Sequence, residues 1–489
     1  PPLDELVTDP RARFDPSDPA GMAATMARCL DAESQALQAS LRADATGVVD
    51  SWDTVARRTV SVWEQLASAR RRPWRRRRRV AVVSPFPPVL SGVAGYSAAM
   101  VEAMRRVDER RGGAPPLEVD CFADGLDRYR VDPLPVGDAR PRDAALFERF
   151  DGVAGGYEHV LYVLGNSECH AHALGALRRR PGTVLAHEVR LSGLLGFSAR
   201  SRGAVPGGLE AAIERNYPGL PAGLGRGDRL EDADAERYGL YLLKDVVRDA
   251  ERCAVFSESA RRLACLDVGP GLDGRVGVVP FALWCLDEAQ RRAVGSARAE
   301  RVAAPGGDGG PAIVSSFGIV HPQKRPEALV LALAELRRRG HDVVARFVGP
   351  VSESMRDALG GQAAAAGVGD HVMLTGAVDA HEYLAQLGRT DVAVQLRKHF
   401  FGECSLTVGE CLSAGVATVV SSAGWMGELP GDAVVKVDLE GGSGALADAI
   451  EPLLTTSERR LALGESGRAW ASTQTFDLVA EAVLDLLGV

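Results

Sequence analysis

The chain has 489 residues, 46% of them apolar and 25% charged, a composition that predicts a soluble globular protein of about two or three domains and excludes general disorder. Its net charge of −8 argues against a general nucleic-acid binder. The eight cysteines form no C-x-x-C pair, so neither a structural zinc site nor a disulfide framework is indicated.

Residues 1–70 carry apolar side chains at helical spacing. They align without a gap with the C-terminus of the same chain, at a constant separation of 424 positions. Two explanations are open: a repeated segment, or two amphipathic segments that match through helical periodicity alone. The apolar pairs are Met22 and Leu446, Met26 and Ile450, Leu30 and Leu454, Leu37 and Leu461, Trp52 and Phe476, Val55 and Val479, and Trp63 and Leu487.

The stretch RRRPWRRRRR, from Arg70 to Arg79, is a dense run of cations. Lysine occurs only four times in the chain while arginine, alanine and glycine abound, which favours a biased coding composition and a solvated linker over residues 71–79. Contact with a membrane surface or another polyanion is the alternative. No leader and no apolar run of bilayer length is recognisable, so we expect a cytoplasmic location, with the inner face of the membrane as a second option.

From Val80 onward, short apolar strands alternate with helical or loop segments, which predicts parallel sheets covered on both faces. A polar and then Gly/Pro-rich stretch at 286–311 interrupts the series. We therefore predict an α/β protein with two doubly wound, Rossmann-like domains over 80–290 and 291–472, and a terminal helix over 473–489. The predicted strands are 80–84, 117–122, 159–165, 182–188, 253–257 and 276–280, then 312–318, 343–349, 371–376, 391–397, 416–422 and 433–438.

Two such domains enclose a cleft at the carboxyl ends of their strands, where open α/β sheets bind ligands. The segment DVAVQLRKHFFGECSLTVGECLSAG reads as strand, loop and helix, with the helix beginning near Ser405. Unpaired amides at such a helix start form a seat for a diphosphate. Glu403 then lies at the mouth of this site and Glu410 about a turn and a half further along the helix, unless the two are simply a capping and a solvent-facing glutamate.

These residues resemble the donor-site signature of glycosyltransferase family 4, which comprises retaining sugar-nucleotide enzymes with the two-domain GT-B fold. GECSLTVGECLSAG and GWMGELPGDAVVKV carry the resemblance, together with PFPPVLSGVAGYS, VLGNSECHAHAL, LAHEVRLSGLL and FGIVHPQKRPEAL, and it extends over nearly everything from Val80 to Val489. Two departures stand out. Six residues separate Glu403 from Glu410, one fewer than the family's usual spacing, and Ile319 stands where an arginine is common.

The resemblance implies particular roles. Glu403 would hold donor-sugar hydroxyls, Glu410 the ribose, and Lys324 the diphosphate, with Arg325 or Arg397 replacing the missing arginine. The implied catalytic residues are His187, Glu403 and Lys324. The implied donor-binding residues are Gly92, Arg325, Arg397, Ser405, Leu406, Thr407 and Glu410.

The implied reaction is retaining transfer of a hexose from GDP-mannose or a UDP-hexose to a glycan or small-molecule acceptor, by front-face displacement and without cofactor or metal. Acceptor specificity is expected in the long stretch 199–234, which reads as irregular. A metal-dependent transferase with Asp232 and Asp234 as a cation clamp is one alternative, and a non-catalytic scaffold that binds sugar nucleotide or glycan is another. Residues 1–70 resemble the terminal helices of a module of this family, which predicts the tail of an upstream transferase module.

Overall fold

The computed structural model describes residues 9–13, 15, 18–31, 34–48, 52–70, 78–89, 91–113, 115–123, 140–153, 156–202, 205–303 and 310–489. Residues 1–76 and residues 77–489 form two compact units. Most of the predicted arginine linker, residues 71–77, lies outside the described residues.

The first unit contains three helices among its described residues: α1 (Pro19–Leu30), α2 (Gln35–Val48) and α3 (Trp52–Arg70). The Asp18 carboxylate caps α1 by accepting hydrogen bonds from the amides of Ala20 and Gly21, at 3.1 and 3.0 Å. Proline at the first helical position costs nothing, because that amide has no intrahelical partner. Helices thus occur where the sequence predicts them around Met22 and Trp52.

The second unit begins with a parallel sheet in the strand order β3-β2-β1-β4-β5-β6-β7. Its strands are β1 (Arg79–Val83), β2 (Glu118–Ala123), β3 (Arg142–Asp143), β4 (His159–Leu164), β5 (Thr183–Ala186), β6 (Arg252–Val255) and β7 (Val276–Val278). The described helices between them are α4 (Gly92–Arg110), α5 (Phe147–Val153), α6 (Ala171–Arg179), α7 (Ser192–Arg202), α8 (Gly208–Asn216), α9 (Asp232–Tyr238), α10 (Lys244–Asp249) and α11 (Glu258–Val268).

The expectation that residues 199–234 are irregular is wrong, because α8 and the start of α9 lie within them. Leu209, Ala212 and Ile213 are buried on one face of α8 and belong to the core of the first domain. Their spacing is that of a helix face, but the signal is short and stands among glycines and prolines. This part of the stretch is a packed element of the domain.

The second sheet is also parallel, in the order β10-β9-β8-β11-β12-β13. Its strands are β8 (Ala312–Phe317), β9 (Val343–Val348), β10 (Val372–Gly376), β11 (Val392–Gln395), β12 (Ala417–Ser421) and β13 (Val435–Val437). The helices are α12 (Glu288–Ala303), α13 (Pro326–Arg338), α14 (Glu353–Ala365), α15 (Ala380–Arg389), α16 (Leu406–Ser413), α17 (Gly424–Glu428), α18 (Gly442–Thr455), α19 (Ser457–Thr473) and α20 (Phe476–Leu487). The prediction of two Rossmann-like domains is confirmed.

The stretch predicted to separate the two domains contains α12, which packs against α15 of the second domain. Gly388 makes this contact close, since a Cβ there would lie 2.4 Å from the carbonyl oxygen of Val294. Residues 288–303 are therefore part of the second domain.

The last helix, α20, returns to the first domain and packs on α4. Val479 and Val483 are fully buried in the core cluster that contains the apolar face of α4. At the rim of the contact, Asp477 pairs with Arg106 at 2.7 Å and with Arg110 at 2.9 Å. The two Rossmann-like domains are thereby held in one unit.

The last two arginines of the predicted linker are structural. Arg78 forms an ion pair with the buried Asp108 at 2.6 Å, and Arg79 begins β1 and pairs with Asp120 at 2.9 Å. Among the described residues, no helix is both long and apolar enough to cross a membrane.

Candidate active site

A cleft of about 260 Å³ opens between the two Rossmann-like domains, where β1, β4 and β5 of the first sheet end. Its position follows from the parallel topology, which brings the loops after these strands to one edge. The first-domain part contributes Ser91, Gly92, Val93, Tyr96, Gly165, Asn166, Ser167, His170, His187, Glu188 and Phe281. The second domain contributes Glu403, Cys404 and Leu406.

The N-terminus of α16 lies at this cleft, as the sequence predicts. Ser405 is the N-cap, and its hydroxyl accepts from the amide of Val408 at 3.5 Å. The amides of Leu406 and Thr407, the first helical residues, have no intrahelical acceptor. The preceding turn requires Gly402, since its φ is 92° and a Cβ there would lie 2.5 Å from Val189 Cγ2.

A second helix N-terminus faces α16 from the first domain. Ser91 caps α4 by accepting from the amide of Val93 at 3.2 Å. A Cβ on Gly92, the first residue of α4, would lie 4.0 Å from Leu406 Cδ1, so the two helix starts are in van der Waals reach. Each helix N-terminus carries a partial positive charge, and two of them make this end of the cleft favourable for an anion.

Lys324 approaches the start of α16 through a gap left by Gly318. A Cβ on Gly318 would lie 2.5 Å from Lys324 Nζ and 3.1 Å from Thr407 Cγ2, and its φ of 88° also favours glycine. The ammonium donates to the carbonyl of Phe317 at 2.8 Å. Burial, helped by the charge of Arg397, lowers the pKa of Lys324 to about 8.

The carboxylate of Glu410 is held by a tyrosine from α15. Tyr383 donates its hydroxyl hydrogen to Glu410 Oε2 at 2.5 Å. Burial raises the pKa of Glu410, while this hydrogen bond and the charge of Lys324 act in the opposite direction. Glu410 and Lys324 are therefore close enough to interact, as a ribose and diphosphate site requires. Tyr383 is a residue of this site that was not predicted from the sequence.

Glu403 lines the cleft in contact with Arg397. Its Oε1 lies 3.7 Å from Arg397 Nε, and its Oε2 accepts from the amide of Phe401 at 2.8 Å. Burial raises the pKa of Glu403 and lowers that of Arg397. An ion pair of this kind orients the carboxylate of Glu403.

His187 follows β5 and lines the same cleft. Its ring lies edge-on to Tyr96, with centroids 5.0 Å apart, and 4.7 Å from the ring of Phe256. Burial lowers its pKa to about 3, so the imidazole is neutral at physiological pH. Among the described residues its Nε2 has no hydrogen-bond partner, which suits contact with a sugar hydroxyl.

Two other predicted groups are not among the residues that line the cleft. The Arg325 guanidinium lies 3.3 Å from Glu327, and Ile319, which stands where an arginine is common, is 62% exposed. Asp232 is the first residue of α9, and its carboxylate forms an ion pair with the Arg190 guanidinium at 2.5 Å. Among the described residues, no group of three His, Cys, Asp or Glu side chains is arranged to hold a metal ion.

Glu188 is a cleft residue that the sequence analysis did not assign, although it stands at the end of a strand beside His187. Its Oε1 accepts from the amide of Asn166 at 3.4 Å. Burial raises the pKa of Glu188 to about 7, and the negative charge of Glu403 adds to the shift. The cleft therefore presents two interacting carboxyl groups, one from each domain.

Glu188→Gln is expected to raise the melting temperature at pH 8 and leave it unchanged at pH 4. The pKa of Glu188, about 7 in the folded protein and near its ordinary value of 4.5 in the unfolded chain, means that the unfolded chain ionises first as pH rises. The destabilisation of the folded protein by Glu188 is absent below about pH 4.5, where the carboxyl is protonated in both states. It grows as pH rises to 7 and is about 1–3 kcal/mol above pH 7. Thermal unfolding at both pH values tests this, with the exposed Glu109→Gln as control. Equal shifts at both pH values would contradict it.

The fold has two Rossmann-like domains around a cleft that the start of α16 lines, and the comparisons below place this architecture with the glycosyltransferases. Residues 298–470 match the family described as "Glycosyl transferases group 1". The resemblance seen in the sequence, and the enzyme class of transferase, are confirmed.

Two relatives share the name "GDP-mannose-dependent alpha-(1-6)-phosphatidylinositol monomannoside mannosyltransferase". The protein of Mycobacterium tuberculosis (strain CDC 1551 / Oshkosh) is 32% identical over 175 residues, 34% of this chain and 44% of the relative. The protein of Mycolicibacterium smegmatis is 31% identical over 158 residues, 31% of this chain and 40% of the relative. The chain thus matches less than half the length of these relatives.

Two solved structures share the fold. Sucrose-phosphate synthase from Thermosynechococcus elongatus superposes with a TM-score of 0.57 at 16% identity, covering 84% of this chain and 98% of its own. HepE of Anabaena, solved in complex with UDP and glucose, gives a TM-score of 0.52 at 15% identity, with 84% and 99% covered. At these identities the likeness concerns the fold alone.

Proposed function

We propose that the protein transfers a hexose from a nucleoside-diphosphate sugar to a hydroxyl group of a glycan or small-molecule acceptor, with retention of configuration and without a metal. The observation that carries this proposal is the meeting of two helix N-termini at one cleft, with the half-buried Lys324 beside the start of α16. A leaving nucleoside diphosphate develops negative charge, and these groups offer amide dipoles and a cation where that charge appears.

Each group has a part in this scheme. The amides of Leu406 and Thr407 and the ammonium of Lys324 bind the diphosphate. Glu410, fixed by Tyr383, accepts from the ribose hydroxyls through its second oxygen. Glu403, oriented by Arg397, holds donor-sugar hydroxyls.

The acceptor binds on the first-domain side of the cleft, beside Glu188 and His187. The neutral imidazole of His187 meets a sugar hydroxyl without adding charge. The acceptor hydroxyl attacks the anomeric carbon from the face that the diphosphate leaves. Its proton passes to the departing phosphate oxygen, so the carbon–oxygen bond to phosphate breaks as the new glycosidic bond forms.

The donor that we propose is GDP-mannose or a UDP-hexose. The name of the mycobacterial relatives supports GDP-mannose, and the ligand of the HepE structure supports UDP. A thermal-shift screen over UDP, GDP, ADP and their sugars tests the proposal. We expect one nucleoside diphosphate to raise the melting temperature by several degrees, through preferential binding to the folded state. A flat response to all of them would contradict the proposal.

Transfer is expected to retain the anomeric configuration and to survive a chelator, because amides and cations act where a metal otherwise acts. Proton NMR of the first-formed glycoside, or of the first-formed free sugar when water is the acceptor, gives the configuration. Activity in EDTA gives the metal dependence. An inverted product, or activity that EDTA abolishes and Mn²⁺ restores, would contradict this prediction.

A further inference from the structure

The three helices of the first unit repeat the last three helices of the second unit in order and spacing. The starts of α1, α2 and α3 precede the starts of α18, α19 and α20 by 423, 422 and 424 positions: Pro19 and Gly442, Gln35 and Ser457, Trp52 and Phe476. Helical periodicity explains matching apolar positions within one helix, but it does not set where three successive helices begin.

A hydrogen bond at one connection has its acceptors 424 positions apart and its donors 422 positions apart. The carbonyl of Cys29 accepts from Gln38 Nε2 at 3.4 Å, which ties the end of α1 to α2. Leu453, 424 positions later, accepts in the same way from Arg460 Nη1 at 3.1 Å and ties α18 to α19. The two segments therefore share a helix-to-helix contact as well as a sequence pattern.

The function of the C-terminal copy is visible: α20 covers α4 with an apolar face. Val479, Leu484 and Leu487 on that face are 0%, 1% and 5% exposed. The counterparts in α3, 424 positions earlier, are Val55, Val60 and Trp63, which are 39%, 48% and 65% exposed. These three residues of α3 are thus apolar and exposed, whereas the buried Val483 of α20 has Thr59 as its counterpart.

The charges beside this face show which partner suits it. Asp53 keeps the position of Asp477, the residue that pairs with Arg106 and Arg110 of α4. Arg57, however, stands at the position of Glu481, which pairs with Arg110 at 3.5 Å.

On the α4 of a second copy, Arg57 would meet a like charge. That α4 is also already covered by its own α20. Both facts argue against α4 of a second copy as the docking site of α3.

We propose that α3 docks on the first helix of another Rossmann-like transferase module, different in sequence from this one, as α20 docks on α4. The partner helix has an apolar face, a cation opposite Asp53 and a carboxylate opposite Arg57. This arrangement is the one expected if residues 1–70 close a preceding module.

The test is a graft within the full chain, in which residues 52–63 replace residues 476–487 and carry Arg57→Glu and Ser61→Asp to restore the acidic edge. We expect this protein to melt within about 5 °C of the wild type. The same graft without the two substitutions should melt several degrees lower, because Arg57 then faces Arg110. A graft of residues 35–46 from α2 is the matched control and should melt lowest.

Two results would overturn the proposal. In the first, the α3 graft with Arg57→Glu and Ser61→Asp is no more stable than the α2 graft. The match between α3 and α20 would then reflect only the spacing of apolar residues in amphipathic helices. A dimer of the wild-type chain in sedimentation that Trp63→Glu dissociates would show that a second copy covers α3 after all. A monomer, together with the expected order of melting temperatures, supports docking on a different module.

Discussion

Glu410→Ala is expected to weaken the binding of the nucleoside diphosphate by about 10- to 100-fold. An ionised carboxylate that accepts from two ribose hydroxyls makes charge-assisted hydrogen bonds, of which about 1–3 kcal/mol survives the competition with water. The side chain is partly buried and fixed by Tyr383, so little conformational entropy is lost on binding. Isothermal titration with GDP and with UDP near pH 7.5 measures the effect.

Two variants make this result specific. Tyr383→Phe keeps the Glu410 carboxylate but removes its anchor, so it should lower affinity by only a few-fold. Glu465→Ala removes an exposed glutamate of the same domain, one that pairs with Arg468, and should change nothing. An unchanged dissociation constant in Glu410→Ala would remove this residue from the site.

The affinity for nucleoside diphosphate is expected to fall as pH rises through about 8. Burial lowers the pKa of Lys324 to about 8, so above this pH the free protein holds the neutral amine. The bound diphosphate favours the ammonium, and binding above pH 8 must therefore take up a proton. The dissociation constant should rise by nearly tenfold per pH unit there.

Lys324→Arg should remove this pH dependence, because a guanidinium stays charged throughout the range. Lys324→Met should lower the affinity at pH 7 by about 10- to 100-fold and should also bind with little pH dependence. Titrations in two buffers of different ionisation enthalpy detect the proton uptake directly. If the arginine variant keeps the wild-type slope above pH 8, another group titrates and Lys324 does not contact the phosphate.

The strands could be predicted closely because parallel strands are buried on both faces and read as apolar runs, as in His159–Leu164. The start of α16 was predictable for a similar reason: Gly402 and Ser405 are local signals for a turn and an N-cap. Such features depend on a few neighbouring residues. The two-residue strand Arg142–Asp143 carries too little pattern to be recognised.

The remaining parts of the site come from distant segments that only the fold joins. Tyr383 lies on α15 and looks like any amphipathic-helix residue until the sheet brings it to Glu410. Glu188 was visible as a strand-end carboxylate, but its interaction with Glu403 depends on how the two domains meet. Arg325 is predicted from its position beside Lys324 in the chain, while its ion pair with Glu327 is visible only in the structure.

A crystal structure of the protein with the nucleoside diphosphate selected by the thermal-shift screen tests the central claim most directly. The account predicts the diphosphate at the amides of Leu406 and Thr407, within hydrogen-bond distance of Lys324 Nζ, with the ribose hydroxyls on Glu410 and the β-phosphate facing the cleft that Glu403 and His187 line. A nucleotide bound elsewhere, or one whose diphosphate lies away from the start of α16, would contradict it.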